Sequence, residues 1–332
     1  MRVAGVTGRL PQGTRLIGKY EIVRPIGQGG FGLVYEATHL GLRARVAIKL
    51  LHSEVRHHAQ AMERFRREAW ASAQLTSQHA VRVMDVDVLE DGSPFIVMEL
   101  LRGRDLEAEL AARGRLPIRE AVGHVLQAAS AIAEAHALGI IHRDLKPNNL
   151  FIVDPGGLPQ LKVLDFGLSK IASDLSLTRT TAQIGTPMYM SPEQFRSGKD
   201  IDCRSDIWAL GVILYRLLAL RPPFVGENRT DLMVAISSQS PAELRQLAPN
   251  VPPELAAVVM RALSKDRADR YQSVPEMAAA LAPFGPPGAF VAPHVTPALR
   301  THRPHRPSNT LTDSSQDTPQ SLAHKGPSRA LF

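Results

Sequence analysis

The chain carries two acidic loop motifs in close succession: His142-Arg143-Asp144-Leu145-Lys146-Pro147-Asn148-Asn149 and then Asp165-Phe166-Gly167. The first motif follows a long helical pattern, and the second follows a short apolar run, 161–164, that is typical of a strand. Two aspartates and an asparagine on neighbouring loops are the oxygen ligands that Mg²⁺ takes. Either motif alone could occur by chance, but their order and spacing together predict a site that handles phosphate and metal.

A glycine-rich loop lies well upstream of these motifs and reads Gly27-Gln28-Gly29-Gly30-Phe31-Gly32. The same G-x-G-x-x-G spelling occurs in dinucleotide-binding folds, where a helix follows the loop. Here a strand-like run, 33–38, follows instead. We therefore expect the glycines in a hairpin turn whose backbone N–H groups cover phosphate. A plain glycine hairpin without ligand is the alternative.

A lysine stands inside an apolar strand pattern, Val46-Ala47-Ile48-Lys49, and Glu68 lies on the charged helical stretch that follows. A lysine in such a strand either extends its ammonium group to water or meets an anion. Glu68 could supply that anion. The alternatives are a charge at a strand edge for Lys49 and a solvated helix face for Glu68.

The order of the remaining patterns predicts an α+β fold with two lobes. Strand-like runs dominate residues 20–101, interrupted by one helical stretch, 59–75. Residues 102–284 are mainly helical, and one long helix ends near Gly139. A β-rich N-lobe over 20–101 and a helical C-lobe over 102–284 would leave a cleft between them. Residues 1–19 form an N-terminal extension, and the proline-rich, basic stretch 285–332 has too few large apolar residues to fold, so we expect it to be disordered.

Composition limits the class of protein further. The 332 residues carry a net charge of +7 and a single cysteine, Cys203, so an intrachain disulfide and a Cys-cluster zinc site are excluded. The cysteine usage and the lack of a signal-peptide or membrane-anchor pattern favour a cytoplasmic protein. The basic charge would allow a nucleic-acid partner, but no zinc pattern and no interleaving of basic and aromatic residues supports one, so none is expected.

Taken together, these motifs resemble the eukaryotic-type protein kinases, most closely the bacterial serine/threonine kinases. The resemblance covers about residues 20–284 and extends to later landmarks. Ser191-Pro192-Glu193 stands where the family has Ala-Pro-Glu, Asp206 opens an apolar helix, and Arg270 matches the arginine that pairs with that glutamate. The family implies the bilobal protein kinase fold and transfer of the γ-phosphate of ATP to Ser or Thr hydroxyls of protein substrates.

The resemblance also implies a role for individual residues. Asp144 would accept the hydroxyl proton, Lys146 would neutralise the γ-phosphate, and Lys49, held by Glu68, would bind the α- and β-phosphates. Asp165 and Asn149 would hold Mg²⁺ or Mn²⁺. The remaining ATP contacts would come from three glycines over the phosphates (Gly27, Gly29, Gly32), from apolar residues around the adenine (Val34, Ala47, Met98, Leu150), and from the backbone of Glu99 and Leu101.

Substrate choice and regulation follow from the same resemblance. Lys146 together with Thr186 is the pattern of serine/threonine kinases, whereas Asn148 departs from the glutamate that many arginine-directed kinases carry. Arg143 beside the catalytic aspartate usually needs a phosphate partner, which predicts phosphorylation of the segment between Asp165 and Glu193. Thr178 and Thr180 best match the sites that bacterial relatives phosphorylate, Thr181 is the near alternative, and a merely flexible threonine-rich loop is the competing interpretation. A kinase homodimer is possible. The alternative function is a pseudokinase scaffold, which usually lacks an equivalent of Lys49, Asp144 or Asp165; all three are present.

Overall fold

A computed structural model describes residues 9–29, 32–51, 59–153, 159–166, 187–196 and 201–293 of the chain. The predicted positions Thr178, Thr180 and Thr186 lie outside these residues. So does the chain beyond residue 293. Among the described residues, no helix combines the length and the apolar character that a membrane crossing requires.

The N-lobe is built on a six-stranded sheet in which every neighbouring pair of strands is antiparallel. The strands are β1 (Arg15–Leu16), β2 (Tyr20–Gly29), β3 (Gly32–His39), β4 (Ala44–Leu51), β5 (Val83–Val88) and β6 (Pro94–Glu99). Their spatial order is β1-β2-β3-β4-β6-β5. Alternating side chains of these strands bury an apolar cluster that contains Tyr35, Val46, Ile48 and Phe95.

The predicted glycine hairpin is present between β2 and β3, where Gly29 pairs with Gly32. A Cβ atom on Gly32 would lie only 1.8 Å from the carbonyl oxygen of Leu50 on β4, so no other residue fits at this crossing of strands. Gly27 has room for a side chain, since its nearest neighbour would be 3.8 Å away. Packing therefore explains Gly32 but does not explain Gly27.

Helix α1 (Ala59–Ala73) follows β4 and packs on the sheet. Phe65 and Ala69 are buried against Leu51 and Ile96. These four residues form a small cluster that is separate from the main N-lobe core. This matches the helix predicted between the strands. The opposite side of the helix faces solvent, and Trp70 there is 71% exposed.

The C-lobe is mainly helical, as predicted. Its helices are α2 (Leu106–Arg113), α3 (Ile118–Ala137), α4 (Pro192–Arg196), α5 (Arg204–Ala219), α6 (Arg229–Ser238), α7 (Leu244–Leu247), α8 (Pro253–Ala262) and α9 (Val274–Leu281). Helix α5 is buried along almost its whole length, which accounts for the apolar run 207–220 as a core helix. Helix α3 packs beside α5 and buries Val122, Val125, Ala129 and Ile132, which recur at three- and four-residue steps and so share one face of the helix.

A small three-stranded antiparallel sheet lies at the start of the C-lobe, next to the two acidic motifs. It contains β7 (Gly103–Asp105), β8 (Leu150–Val153) and β9 (Gln160–Val163), in the order β7-β8-β9. The strand predicted at 161–164 corresponds to β9. The sequence patterns did not reveal β7 or β8, because strands this short carry little periodicity.

The packed part of the chain is longer at both ends than the sequence predicted. In the predicted extension, β1 pairs with β2, and the Leu10 backbone N–H donates to the Tyr35 hydroxyl at 2.9 Å. At the other end, residues 285–293, here called the C-terminal strap, lie against α3. The Val291 N–H donates to Ser130 Oγ at 2.9 Å.

A glycine makes room for the strap on α3. A Cβ atom on Gly123 would come within 3.0 Å of the Pro286 ring. Farther along the strap, Ala289 is buried and Phe290 packs against the C-lobe core. The packed chain thus continues past the predicted boundary at Phe284. Composition pointed to disorder from residue 285, but Pro286 and Phe290 pack against the surface of the C-lobe.

Candidate active site

In the loop 142–149, Lys146 and Asn149 both contact Asp144, so three of the predicted residues lie together. Lys146 Nζ lies 2.8 Å from Asp144 Oδ2. Asn149 Nδ2 donates to the Asp144 backbone carbonyl at 2.7 Å and approaches Oδ2 at 3.3 Å. Both side-chain contacts fall on Oδ2, and no described residue forms a hydrogen bond with Oδ1. The carboxylate is therefore oriented through one oxygen while the other remains available.

A buried aspartate on α5 holds this loop in place. Asp206 accepts hydrogen bonds from the backbone N–H groups of His142 and Arg143, both at 2.9 Å. His136 Nε2, from the end of α3, lies 2.7 Å from the same carboxylate. Burial alone would raise the pKa of Asp206, but the hydrogen bond with His136 and the surrounding positive groups outweigh it and lower that pKa. Asp206 therefore stays ionised in the core and fixes the backbone next to Asp144.

The segment 164–166 lies against the same loop. Leu164 N–H donates to the Asn149 carbonyl at 2.9 Å, and the Leu164 carbonyl lies 2.8 Å from His142 Nε2. The rings of His142 and Phe166 meet edge to face with centroids 5.2 Å apart. These contacts bring Asp165 beside Asp144 and Asn149, as the two sequence motifs predict.

Two residues of these loops adopt a backbone conformation that side chains other than glycine rarely take. Arg143 has a φ of 66° and Asp165 a φ of 59°. Both lie in the left-handed region, where the Cβ atom is crowded by the backbone. Arg143 directly precedes Asp144, and Asp165 is itself assigned to the site, so the strain lies at the site itself.

Lys49 reaches the site from β4. Its Nζ lies 2.7 Å from Asp165 Oδ1, and the lysine is only 3% exposed. Burial would raise the pKa of Asp165, but the charge and the hydrogen bond of Lys49 outweigh that effect and lower it. Glu68, the predicted partner of Lys49, lies on α1, but its side chain is outside the described part of the structure. The Lys49–Asp165 pair was not predicted.

The predicted apolar residues share one face of the N-lobe sheet. Val34 on β3 is the register partner of Lys49, and Met98 on β6 is the partner of Ala47. Cross-strand partners point to the same side, and so do residues two apart on one strand. Val34, Ala47 and Met98 therefore lie on the face that carries Lys49. Leu150 is fully buried at the start of β8, directly after Asn149.

Glu99 is the last residue of strand β6, and both its side chain and its backbone form contacts within the protein. The Glu99 carboxylate accepts from the Arg82 backbone N–H at 2.8 Å and lies 2.6 Å from Lys162 Nζ. Its own N–H donates to the Arg82 carbonyl at 3.0 Å. The Glu99 side chain is thus used within the protein. Leu101 lies just beyond β6 and is partly buried.

The predicted ion pair between Glu193 and Arg270 is confirmed. Arg270 is fully buried, and its two terminal nitrogens lie 2.8 and 2.9 Å from the two carboxylate oxygens of Glu193. Ser205 Oγ donates to the same carboxylate at 2.7 Å. Burial works against ionisation, but these donors outweigh it and lower the pKa of Glu193 to about 2.

A glutamine beside this pair reaches back to the loop 142–149. Gln194 Nε2 donates to the Arg143 carbonyl at 2.9 Å, while its side-chain oxygen accepts from the Ser191 N–H at 2.9 Å. No role was predicted for Gln194, His136 or the Asp206 carboxylate. Asp206 alone carries a signal in the sequence, since it opens the apolar helix, whereas nothing local marks the other two.

Comparison with known proteins agrees with this geometry. Residues 20–280 match the family model described as "Protein kinase domain". The chain is 38% identical over 290 residues to the serine/threonine-protein kinase Pkn1 of Myxococcus xanthus, covering 86% of this chain and 40% of that protein. It is 39% identical over 272 residues to the probable serine/threonine-protein kinase PknB of Corynebacterium glutamicum, covering 79% of this chain and 42% of that protein.

A solved structure resembles the chain as well. The PknI kinase domain of Mycobacterium tuberculosis superposes with a TM-score of 0.67 at 29% identity, covering 83% of this chain and 99% of that one. The chain therefore belongs to the protein kinase family and has its fold. It spans about two fifths of the length of the two curated relatives just named. Protein kinase domains as a class use ATP with a divalent metal ion and act on proteins.

Proposed function

We propose that this chain is a serine/threonine protein kinase that transfers the γ-phosphate of ATP to protein hydroxyls. The observation that carries the proposal is the convergence of Asp144, Lys146 and Asn149 with the Lys49–Asp165 pair. These residues come from distant parts of the sequence and meet around loops anchored by one buried carboxylate. Phosphoryl transfer needs positioning and charge stabilisation rather than covalent chemistry, and this cluster offers both.

ATP would lie between the N-lobe sheet and the loop 142–149. Gly27, Gly29 and Gly32 would cover its phosphates, and the spare room at Gly27 supports that role for the hairpin. Lys49, steadied by Glu68, would bind the α- and β-phosphates. The adenine would contact the sheet face that carries Val34, Ala47 and Met98, with Leu150 on the other side and the backbone of Glu99 and Leu101 at its edge.

The residues present fit a hard divalent cation. The Asp165 carboxylate and the Asn149 amide oxygen are ligands of the right type, since Asn149 already commits its Nδ2 to Asp144. No group of three or more His, Cys, Asp or Glu in the described ranges could hold a metal alone. Mg²⁺ or Mn²⁺ would therefore complete its coordination with phosphate oxygens and water, which is how Mg²⁺ is usually held in kinases. When bound, the ion offsets charge on the phosphates.

The transfer step follows from the geometry of Asp144. Its Oδ1 would accept the proton of the attacking hydroxyl, while contacts to Oδ2 keep the carboxylate in position. Lys146, close to the same carboxylate, would neutralise charge on the γ-phosphate. Lys146 with Thr186 supports Ser and Thr as acceptors. Asn148 in place of an acidic residue argues against a strong preference for basic substrates.

Phosphate transfer by the purified chain tests the proposal. With radiolabelled ATP, Mg²⁺ or Mn²⁺ and a general protein substrate, we expect label in phosphoserine and phosphothreonine and none in phosphotyrosine. The competing function is a pseudokinase scaffold, which would bind ATP without transferring phosphate. Nucleotide binding measured by calorimetry together with no labelled product would favour that scaffold and refute the kinase.

We further propose that Thr178 and Thr180 are phosphorylated by the kinase itself, either within one chain or between two copies. Phosphate there would neutralise Arg143, whose backbone is fixed beside Asp144. Mass spectrometry of the active chain and of Asp144→Asn is the test. The idea fails if both threonines stay unmodified in the active enzyme, or if replacing both with alanine leaves activity intact.

A further inference from the structure

A cavity lies in the C-lobe, and none of its described lining residues is assigned to the active site. It opens between α2, α3 and the β7–β8 pair and has a volume of about 430 Å³. That volume is in the range of pockets that hold small molecules. Ile152 and Pro159 supply apolar surface, and the other described side chains around it are charged or polar. No Phe, Tyr or Trp side chain is among the described residues that line it.

The four charged side chains of the cavity neutralise one another. Arg113 lies 2.7 Å from Glu109 and donates to Glu120 Oε2 at 2.9 Å. Arg104 contacts Glu109 as well. The hydrogen bonds from Arg113 lower the pKa of Glu120. Two arginines and two glutamates thus balance in charge among the described lining residues, which offer no uncompensated partner to an added anion or cation.

The ring of His124 is the uncharged polar group of the cavity lining. His124 is 5% exposed, and no described residue forms a hydrogen bond with its Nε2 atom. Glu120 Oε1 lies 3.7 Å from Nε2, which is beyond hydrogen-bond distance. Glu109 Oε2 also lacks a hydrogen bond among the described residues, but it is in contact with the Arg104 guanidinium. Burial lowers the pKa of His124, so the ring is neutral near pH 7. Buried polar atoms in folded proteins are nearly always paired, and this one therefore calls for an explanation.

We propose that the cavity binds a small neutral molecule rich in hydroxyl groups, a sugar or polyol. A hydroxyl both donates and accepts, so one such group can accept from the His124 ring and donate to Glu120. The exposed edges of Arg104 and Arg113 offer further N–H donors to neighbouring hydroxyls. Ile152 and Pro159 would contact the carbon skeleton. The described lining offers no Phe, Tyr or Trp face on which a nucleobase could stack, which argues against a nucleobase as the ligand.

The test is direct binding to the full chain, followed by NMR of the His124 ring and by calorimetry. The probes are glucose, N-acetylglucosamine, trehalose and myo-inositol, with glutamate and arginine as charged comparisons. We expect at least one sugar or polyol to bind and to shift the His124 ring signals. No binding by any of the four at about 50 mM overturns the proposal and leaves water as the partner of His124. Binding by the charged probes alone overturns the assigned class of ligand.

Two histidine variants separate a ligand site from a structural one. His124→Leu removes an unpaired polar atom, so we expect unchanged or higher thermal stability and about tenfold weaker sugar binding. The matched control is His79→Leu, because His79 is equally buried but its Nδ1 lies 2.9 Å from the Leu161 carbonyl. That variant should lose stability and keep its affinity. Glu120→Gln, with the shape of the side chain preserved, should also weaken binding. Full affinity in both His124→Leu and Glu120→Gln contradicts the assignment.

Discussion

Two pairs of carboxylates in the C-lobe have opposite surroundings. Glu193 and Asp206 are wrapped by several donors each and have little or no contact with solvent. Asp144 and Asp165 are 20% and 31% exposed, and each has one close cation. The first pair holds loops in place, while the second pair presents oxygen atoms that a ligand can still reach. The degree to which a carboxylate is already satisfied separates anchoring groups from reactive ones.

The largest effect should come from the open pair and its cation. Asp144→Asn and Lys49→Ala should each lower phosphate transfer at least about a thousandfold, because the proton acceptor and the phosphate-binding charge are lost. Asp144→Asn keeps the shape of its side chain, so its unfolding midpoint should stay near that of the wild type. Lys49→Ala also removes a buried side chain and its ion pair with Asp165, so it should melt somewhat earlier but remain folded. Radiolabelled transfer beside a thermal melt measures both. Near-normal activity in either variant would remove that residue from the catalytic assignment.

The wrapped pair should show the reverse pattern. Glu193→Ala leaves Arg270 buried without its partner, which we expect to lower the free energy of unfolding by about 3–5 kcal/mol. Denaturant unfolding is the measurement. Glu276→Ala is the control, because Glu276 pairs with Arg261 at the surface, where such pairs contribute about 0–1 kcal/mol. Equal losses of unfolding free energy in the two variants would mean that the buried pair of Glu193 and Arg270 contributes no more to stability than a surface pair.

Asp206 should combine both kinds of effect, since it anchors the loop that carries Asp144. Asp206→Asn replaces one acceptor oxygen with an amide donor that faces other donors. We expect a loss of about 2–3 kcal/mol in stability, and a fall in kcat of about 10- to 100-fold with ATP affinity retained. Denaturant unfolding measures the loss of stability, steady-state kinetics measures kcat, and calorimetry with ATP measures nucleotide affinity. If stability falls while kcat is unchanged, Asp206 does not position the loop.

The smallest effect is a pH dependence of stability. The pKa of Glu193 is lowered from an ordinary 4.5 to about 2, so the unfolded chain takes up this proton first as pH falls. Its contribution to stability is complete above pH 4.5 and disappears as pH drops towards 2, with a loss of about 2 kcal/mol by pH 3. The difference between wild type and Glu193→Gln, followed by unfolding from pH 6 to pH 3, isolates this group. A difference that does not change with pH would contradict the lowered pKa.

Much of the site could be predicted because its residues sit in short local motifs. Asp144, Lys146 and Asn149 fall within one loop, and the strand pattern around Lys49 is equally local. The contacts that fix these groups are not local. Asp206 reaches back to the His142 backbone from another helix, and Lys49 meets Asp165 across the two lobes. Spacing along the chain carries no record of such pairings unless a family pattern supplies it, as it did for Glu193 and Arg270.

The C-terminal strap shows why composition can mislead at a domain boundary. A stretch with several prolines and few large apolar residues predicts disorder when it is considered alone. The outcome here depends on a groove that other residues build, above all the missing side chain of Gly123 and the hydroxyl of Ser130. Neither feature can be recognised from the strap itself, because a single glycine or serine inside a helix has many explanations.

The left-handed backbone of Arg143 and Asp165 has a consequence for protein engineering. At Arg143 the conformation costs about 1–2 kcal/mol relative to a glycine, so selection for thermostability alone would favour glycine or asparagine there. Such a variant would melt later but lose the side chain next to Asp144. At Asp165 the cost is smaller, because aspartate tolerates this region, and a glycine would also remove the buried ion pair with Lys49. Any programme to stabilise this chain must therefore hold both positions fixed, since its easiest gains in melting temperature lie where activity has most to lose.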